Sequence, residues 1–121
     1  MKVLVADDSR FMRKLISKVV RKAGHTVVCE AQDGEEALIK IEECKPHLVI
    51  LDINMPKMNG LVVLKKARDR EVDVKFIILT ALDQPWVLDE ITKLGVRHFI
   101  TKPLKPQELL KVIKDVERED Y

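Results

Sequence analysis

Residues 2–24 read KVLVADDSRFMRKLISKVVRKAG. The apolar run Lys2 to Ala6 ends on two adjacent acids, Asp7 and Asp8, and a helical pattern follows at once. Phe11, Met12, Leu15, Ile16, Val19 and Val20 recur at helical spacing with Arg and Lys between them. Ser9 or Asp8 can cap the start, and Gly24 supplies a left-handed stop. The stretch is thus a strand followed by an amphipathic helix, with polar chemistry at the junction.

The same unit recurs along the chain. Strand-length runs rich in Val, Ile or Leu stand at Thr26 to Ala31, Leu48 to Leu51, Lys75 to Leu79 and Val96 to Ile100. A second helical pattern opens after Asp33-Gly34, carries Ala37, Leu38 and Ile41, and stops before Pro46, because the residue ahead of a proline is pushed out of helical geometry. A third runs from Gly60 to Arg70. The fourth opens at Pro85, presents Val87, Leu88, Ile91 and Leu94 inward and ends at Gly95. The fifth follows Pro106 and continues to Val116, leaving Glu117 to Tyr121 as a charged tail expected to fray. Near-continuously apolar strands alternating with amphipathic helices predict an α/β fold, (βα)5, with a five-stranded parallel sheet covered on both faces.

Composition sets the outer bounds. With 121 residues, 46% hydrophobic and 35% charged, the chain is expected to form one domain over 1–121 and to bury about 65% of its unfolded surface. No apolar run is long enough to span a bilayer, and acids follow the first five-residue run too soon for a secretory leader, so a cytoplasmic protein is expected. Net charge is +2, which by itself points to no polyanionic partner. Cys29 and Cys44 lack CxxC spacing and histidine partners; both are expected to be reduced, with Cys29 in the core and Cys44 at a helix end.

Asp7, Asp8, Asp52, Thr80 and Lys102 all fall where an apolar run ends. In a parallel α/β sheet such run ends meet at one edge, where ligands bind. Three carboxylates there would repel one another unless a cation or proton offsets the charge, and Mg2+ suits a few carboxylates plus phosphate oxygens. A carboxylate fixed at a strand end can attack phosphorus, while an ammonium and a hydroxyl take up the oxygens of the transferred group. Each residue alone has a plainer reading: Asp7 or Asp8 as a helix cap, Thr80 as a strand residue, Lys102 as a surface lysine.

Taken together, DDSRFMR at 7–13, LDINMPKMNG at 51–60, LTA at 79–81 and TKP at 101–103 resemble, in order and spacing, the receiver domains of two-component response regulators. The resemblance covers essentially the whole chain. It implies a doubly wound, flavodoxin-like (CheY-like) sheet with strand order 2-1-3-4-5. It also implies that Asp52 is the phosphoacceptor and that Asp7, Asp8, Asp52 and the backbone carbonyl of Asn54 hold Mg2+. Lys102 would pair with the acceptor carboxylate or a phosphoryl oxygen, with a cis bond to Pro103. Thr80 would bond the phosphoryl group and draw its loop inward, and Phe99 would turn into the space vacated.

The same resemblance implies a histidine kinase as phosphodonor and an output surface on the fourth helix, fifth strand and fifth helix. With no output domain attached, a monomeric chemotaxis-type regulator acting on a flagellar motor switch protein, and served by a phosphatase, is the expected subtype. A phosphorelay shuttle and the receiver of a longer transcriptional regulator stand as alternatives. The chain should catalyse only its own phosphorylation and dephosphorylation. An aspartate-nucleophile phosphatase is disfavoured because Asn54 stands where its second acid would be. A flavodoxin is disfavoured because Asp7 and Asp8 would repel the flavin phosphate.

Leu82, apolar where some chemotaxis receivers carry an acid, cannot orient water, so a long phosphorylated lifetime is expected. Trp86, the single tryptophan, is expected to pack on the loop after Thr80 or to anchor a partner. Arg10, Arg13, Lys14, Lys18, Arg21 and Lys22 make the first helix basic, but few aromatics accompany them, so a solvated face or a kinase-docking edge is expected rather than a nucleic-acid site. His25, His47 and His98 are expected at the surface.

Overall fold

The computed structural model describes residues 1–81 and 85–119. Strands β1 (Lys2–Ala6), β2 (Thr26–Ala31), β3 (Leu48–Asp52), β4 (Lys75–Thr80) and β5 (His98–Thr101) alternate with helices α1 (Arg10–Lys22), α2 (Gly34–Cys44), α3 (Gly60–Asp69), α4 (Pro85–Lys93) and α5 (Pro106–Arg118). The strands form one sheet in the order β2-β1-β3-β4-β5, every pair parallel, as expected.

Strand alternation divides the core into two layers. Val3, Val5, Leu48, Ile50, Ile77, Leu79 and Ile100 face α1 and α5, meeting Ile16, Val20, Leu109 and Ile113. Leu4, Ala6, Val49, Leu51, Phe76 and Ile78 face the opposite way, onto Ala37, Ile41, Leu64 and Ile91 of α2, α3 and α4. Because the central strand β3 is buried along its whole length, its sequence shows no polar alternation, and its last residue is held rigidly. Helix starts are fixed by side-chain caps. Ser9 Oγ accepts from the Met12 amide at 3.2 Å, Asp33 Oδ1 from Glu36 at 2.8 Å, and Asn59 Oδ1 from Val62 at 3.0 Å.

Four expectations need correction. β5 begins at His98 rather than Val96, because the Val96 amide is spent closing the end of α4 on the Ile91 carbonyl. The tail does not fray at Glu117: α5 runs to Arg118, and Glu117 and Glu119 pair with His25 and His98. These two histidines are therefore half-buried partners of α5, with His25 also bonded to the terminal amine, while His47 is exposed and accepts the Lys2 amide at 2.9 Å.

Cys29 and Cys44, expected to be reduced, are instead joined as a disulfide with a Cα separation of 6.7 Å. Its cause is an irregularity in β2. Val27 pairs with Val3 but Cys29 pairs with Leu4, so Val28 is an extra residue and the side-chain phase reverses there. Val27 consequently packs toward α1, whereas Cys29 packs toward α2, which carries Cys44 at its end.

Candidate functional site

β1, β3, β4 and β5 deliver the candidate residues to one edge of the sheet. Asp52 closes β3 opposite Leu79, so Thr80 lies one step beyond its register partner, and Thr80 pairs with Thr101, next to Lys102. The Lys102 amide donates to the Thr80 carbonyl at 2.8 Å, and the Lys102–Pro103 bond is cis, as the resemblance implied. Lys102 Nζ stands 2.8 Å from Asp52 Oδ1, which also accepts the Asn54 amide at 3.0 Å. The Asp52 carboxylate is almost fully buried at the floor of a cleft of about 340 Å3 lined by Asp7, Asp8, Phe11, Met12, Lys102 and Leu104.

Asp7, Asp8 and Asp52 each present a carboxylate oxygen within 4.8 Å of the others. Asp8 is exposed, while Asp7 and Asp52 are buried. Asp7 Oδ1 accepts the Ser9 amide at 2.9 Å, but Asp7 Oδ2 is buried and has no hydrogen-bond partner among the described residues. A buried carboxylate with one orphaned oxygen, in a group with two further acids, is what a divalent cation would satisfy, so the residues present fit a metal.

Burial pushes the Asp7 carboxyl above its usual range, and the neighbouring charges of Asp52 and Asp8 push the same way, against the Ser9 hydrogen bond and Lys102. A carboxyl with a raised folded pKa holds its proton longer in the folded state than in the unfolded one. Stability without divalent cation therefore falls as pH rises from the unfolded value, 3.8, through the raised one. Asp7→Asn should remove that decline and raise the melting temperature at neutral pH by a few degrees. Melting curves in chelator from pH 4 upward test this, and added Mg2+ should stabilise the wild type more than the variant.

Arg13 is a contributor that sequence reasoning placed only among the basic residues of α1. Its Nη1 donates to the Asp7 carbonyl at 2.8 Å and its Nε lies 3.3 Å from Glu30 Oε1, tying α1 and β2 to the end of β1. The spacing from Asp7 could have suggested it, since the first helical turn brings that position back over the strand end. Trp86 and Phe99 are 55% and 42% exposed. Leu82, and the loop on which Trp86 was expected to pack, lie outside the described residues.

Residues 3–114 match the response regulator receiver domain family. The chain is similar to the chemotaxis protein CheY of Thermotoga maritima, 36% identical over 97% of this chain and 98% of that protein. It is also similar to the alkaline phosphatase synthesis transcriptional regulatory protein PhoP of Bacillus subtilis, 35% identical over 97% of this chain and 48% of that protein. A solved structure, the CheX–CheY–BeF3–Mg2+ complex from Borrelia burgdorferi, superimposes with a TM-score of 0.90 at 31% identity, covering 97% of this chain and 89% of that one. Among the described residues no helix is long and apolar enough to cross a membrane.

Proposed function

Because the chain belongs to the response regulator receiver domain family, we propose that it is a two-component signalling switch, one receiver domain over 1–121, that accepts a phosphoryl group from a histidine kinase on Asp52. The observation carrying this reading is the buried Asp52 carboxylate, fixed at a strand end 2.8 Å from Lys102 Nζ and within 4.8 Å of the Asp7 and Asp8 carboxylates.

Asp7, Asp8, Asp52 and the Asn54 carbonyl would hold Mg2+, which when bound offsets the negative charge of the carboxylates and of phosphoryl oxygens. The Asp52 carboxylate attacks phosphorus in line as the donor's leaving group departs, giving an acyl phosphate. Lys102 stabilises the charge on the transferred oxygens, and the Thr80 hydroxyl bonds the phosphoryl group once it is in place. The domain catalyses only this self-modification and its hydrolysis. Lys102→Ala should slow uptake roughly 100-fold, the scale seen when one preorganised donor is lost. Rates of phosphorylation by a small donor measure this directly.

Output runs through the α4–β5–α5 face. Phe99 and Trp86, both substantially exposed, supply apolar surface there. Inward movement of Thr80 with rotation of Phe99 shifts the population toward the partner-binding form. Phe11, 74% exposed at the rim of the cleft, gives α1 an apolar edge for kinase docking. Similarity to chemotaxis proteins favours a chemotaxis regulator; in this reading it is monomeric and cytoplasmic, acts on a flagellar motor switch protein and is reset by a phosphatase. Similarity to PhoP keeps a transcriptional-regulator receiver as the second reading.

Intact mass after incubation with acetyl phosphate, with and without Mg2+, tests the switch: one added phosphoryl group that depends on Mg2+ is expected, and an unmodified wild type contradicts it. Phosphorylation-dependent binding to a motor switch protein separates the chemotaxis reading from the others.

A further inference from the structure

The Cys29–Cys44 pair lies outside the phosphoacceptor chemistry and has its own geometry. It joins the outermost strand, β2, to the last residue of α2, with the Cα atoms 6.7 Å apart, within the span a disulfide can bridge. Both cysteines are half-buried rather than enclosed. The extra residue at Val28 is what turns Cys29 toward α2. Lys40, one turn before Cys44, donates to the Glu30 carbonyl at 2.9 Å, placing a cation on the residue next to Cys29.

The opposite end of α2 is anchored separately. Gly34 abuts the backbone of Met58, its amide reaches the Pro56 carbonyl at 3.5 Å, and Asp33 pairs with Lys57 at 3.6 Å. The disulfide therefore adds a covalent tie at one end of a helix whose other end rests on the loop following Asp52.

We propose that Cys29 and Cys44 form a reversible thiol–disulfide exchange site that responds to small-molecule disulfides and fastens α2 to the edge strand when oxidised. The Cys29 thiolate attacks one sulfur of the disulfide RSSR, forming a mixed disulfide and releasing RS−. The Cys44 thiolate then attacks the Cys29 sulfur, forming the intramolecular bond and releasing the second RS−. The protons lost by the two cysteines end on the two released thiols, so two protein thiols are oxidised as one RSSR is reduced. In a reducing cytoplasm such a pair stands open and closes when the disulfide oxidant rises. The inference stands on cysteine geometry and is independent of the phosphoacceptor reading.

The test equilibrates the whole, dithiothreitol-reduced protein in buffers of varied reduced-to-oxidised glutathione ratio, then counts thiols by alkylation and intact mass. A single transition in which both thiols vanish together, with the loss of two hydrogens and no retained glutathione, is expected. The oxidised form should melt higher by on the order of 10 °C, the scale for closing a loop of this length in a domain of this size. Hydrogen exchange should slow at 26–30 and 40–44. Cys44→Ser should melt at the same temperature at every ratio. Two thiols alkylated at all ratios, glutathione retained on each cysteine, a disulfide-linked dimer, or an equal gain in Cys44→Ser would each overturn the proposal.

Discussion

Asp52→Asn is expected to accept no phosphoryl group from acetyl phosphate or from a phosphorylated kinase, at any Mg2+ concentration, while folding at least as stably as the wild type. An amide lacks the nucleophilic oxygen of a carboxylate, yet its carbonyl can still accept the Asn54 amide and the Lys102 ammonium that now meet Asp52 Oδ1 at 3.0 and 2.8 Å. The substitution also removes one of three acids within 4.8 Å of one another, which relieves repulsion in the absence of cation. Intact mass and a melting curve on the same sample separate chemistry from folding. A variant that takes up phosphate as fast as the wild type would move the acceptor elsewhere.

The second large effect comes from two glycines whose missing side chains set the site's backbone. A Cβ on Gly60 would lie 2.4 Å from the Asp52 carbonyl oxygen and 2.8 Å from Ile53 Cα, so Gly60→Ala must displace the main chain of the acceptor itself. A Cβ on Gly34 would lie 1.8 Å from the Met58 carbonyl oxygen, driving α2 off the loop after β3. Neither clash is with a flexible side-chain tip, so each substitution should cost about 3 kcal/mol, at the upper end of overpacking effects, and lower the melting temperature by on the order of 10 °C. Urea or thermal melts give the loss. Gly60→Ala should in addition slow phosphoryl uptake under conditions where it is still folded, since reacting atoms moved by even an ångström react far more slowly. Gly34→Ala, which contacts Met58 rather than Asp52, should lose stability with a smaller change in rate. Equal rates for Gly60→Ala and wild type would show that the Asp52 backbone is not held as the structure has it.

Much of this was legible in the residues themselves. The apolar runs of β1, β3 and β4 are buried on both faces, so their near-continuous apolar sequence marked them as strands of a covered parallel sheet, and their ends placed Asp7, Asp52 and Thr80 on one edge. Ser9 could be read as a cap because it stands just before a helical pattern. What could not be read depends on contacts between elements distant in sequence. The β2 irregularity has no local signature in TVVCEA, and a uniform strand would put Val27 and Cys29 on one face, away from Cys44; the reversal at Val28 brings the cysteines together. His25 and Glu117 stand at opposite ends of the chain, and only the packing of α1 against α5 makes them partners, turning an apparent charged tail into the last turn of a helix. Arg13 looked like one more cation on a basic face until the turn of α1 brought it over the Asp7 carbonyl.

The proposed switch requires an acyl phosphate on Asp52. Its most direct test is to phosphorylate the wild type in Mg2+, reduce it with borohydride, which converts an aspartyl phosphate to homoserine, and map the product by peptide mass spectrometry. Homoserine at position 52 and at no other aspartate is the predicted result. Homoserine at position 7 or 8, or a phosphorylated protein in which no aspartate is reduced, would rule out Asp52 as the acceptor.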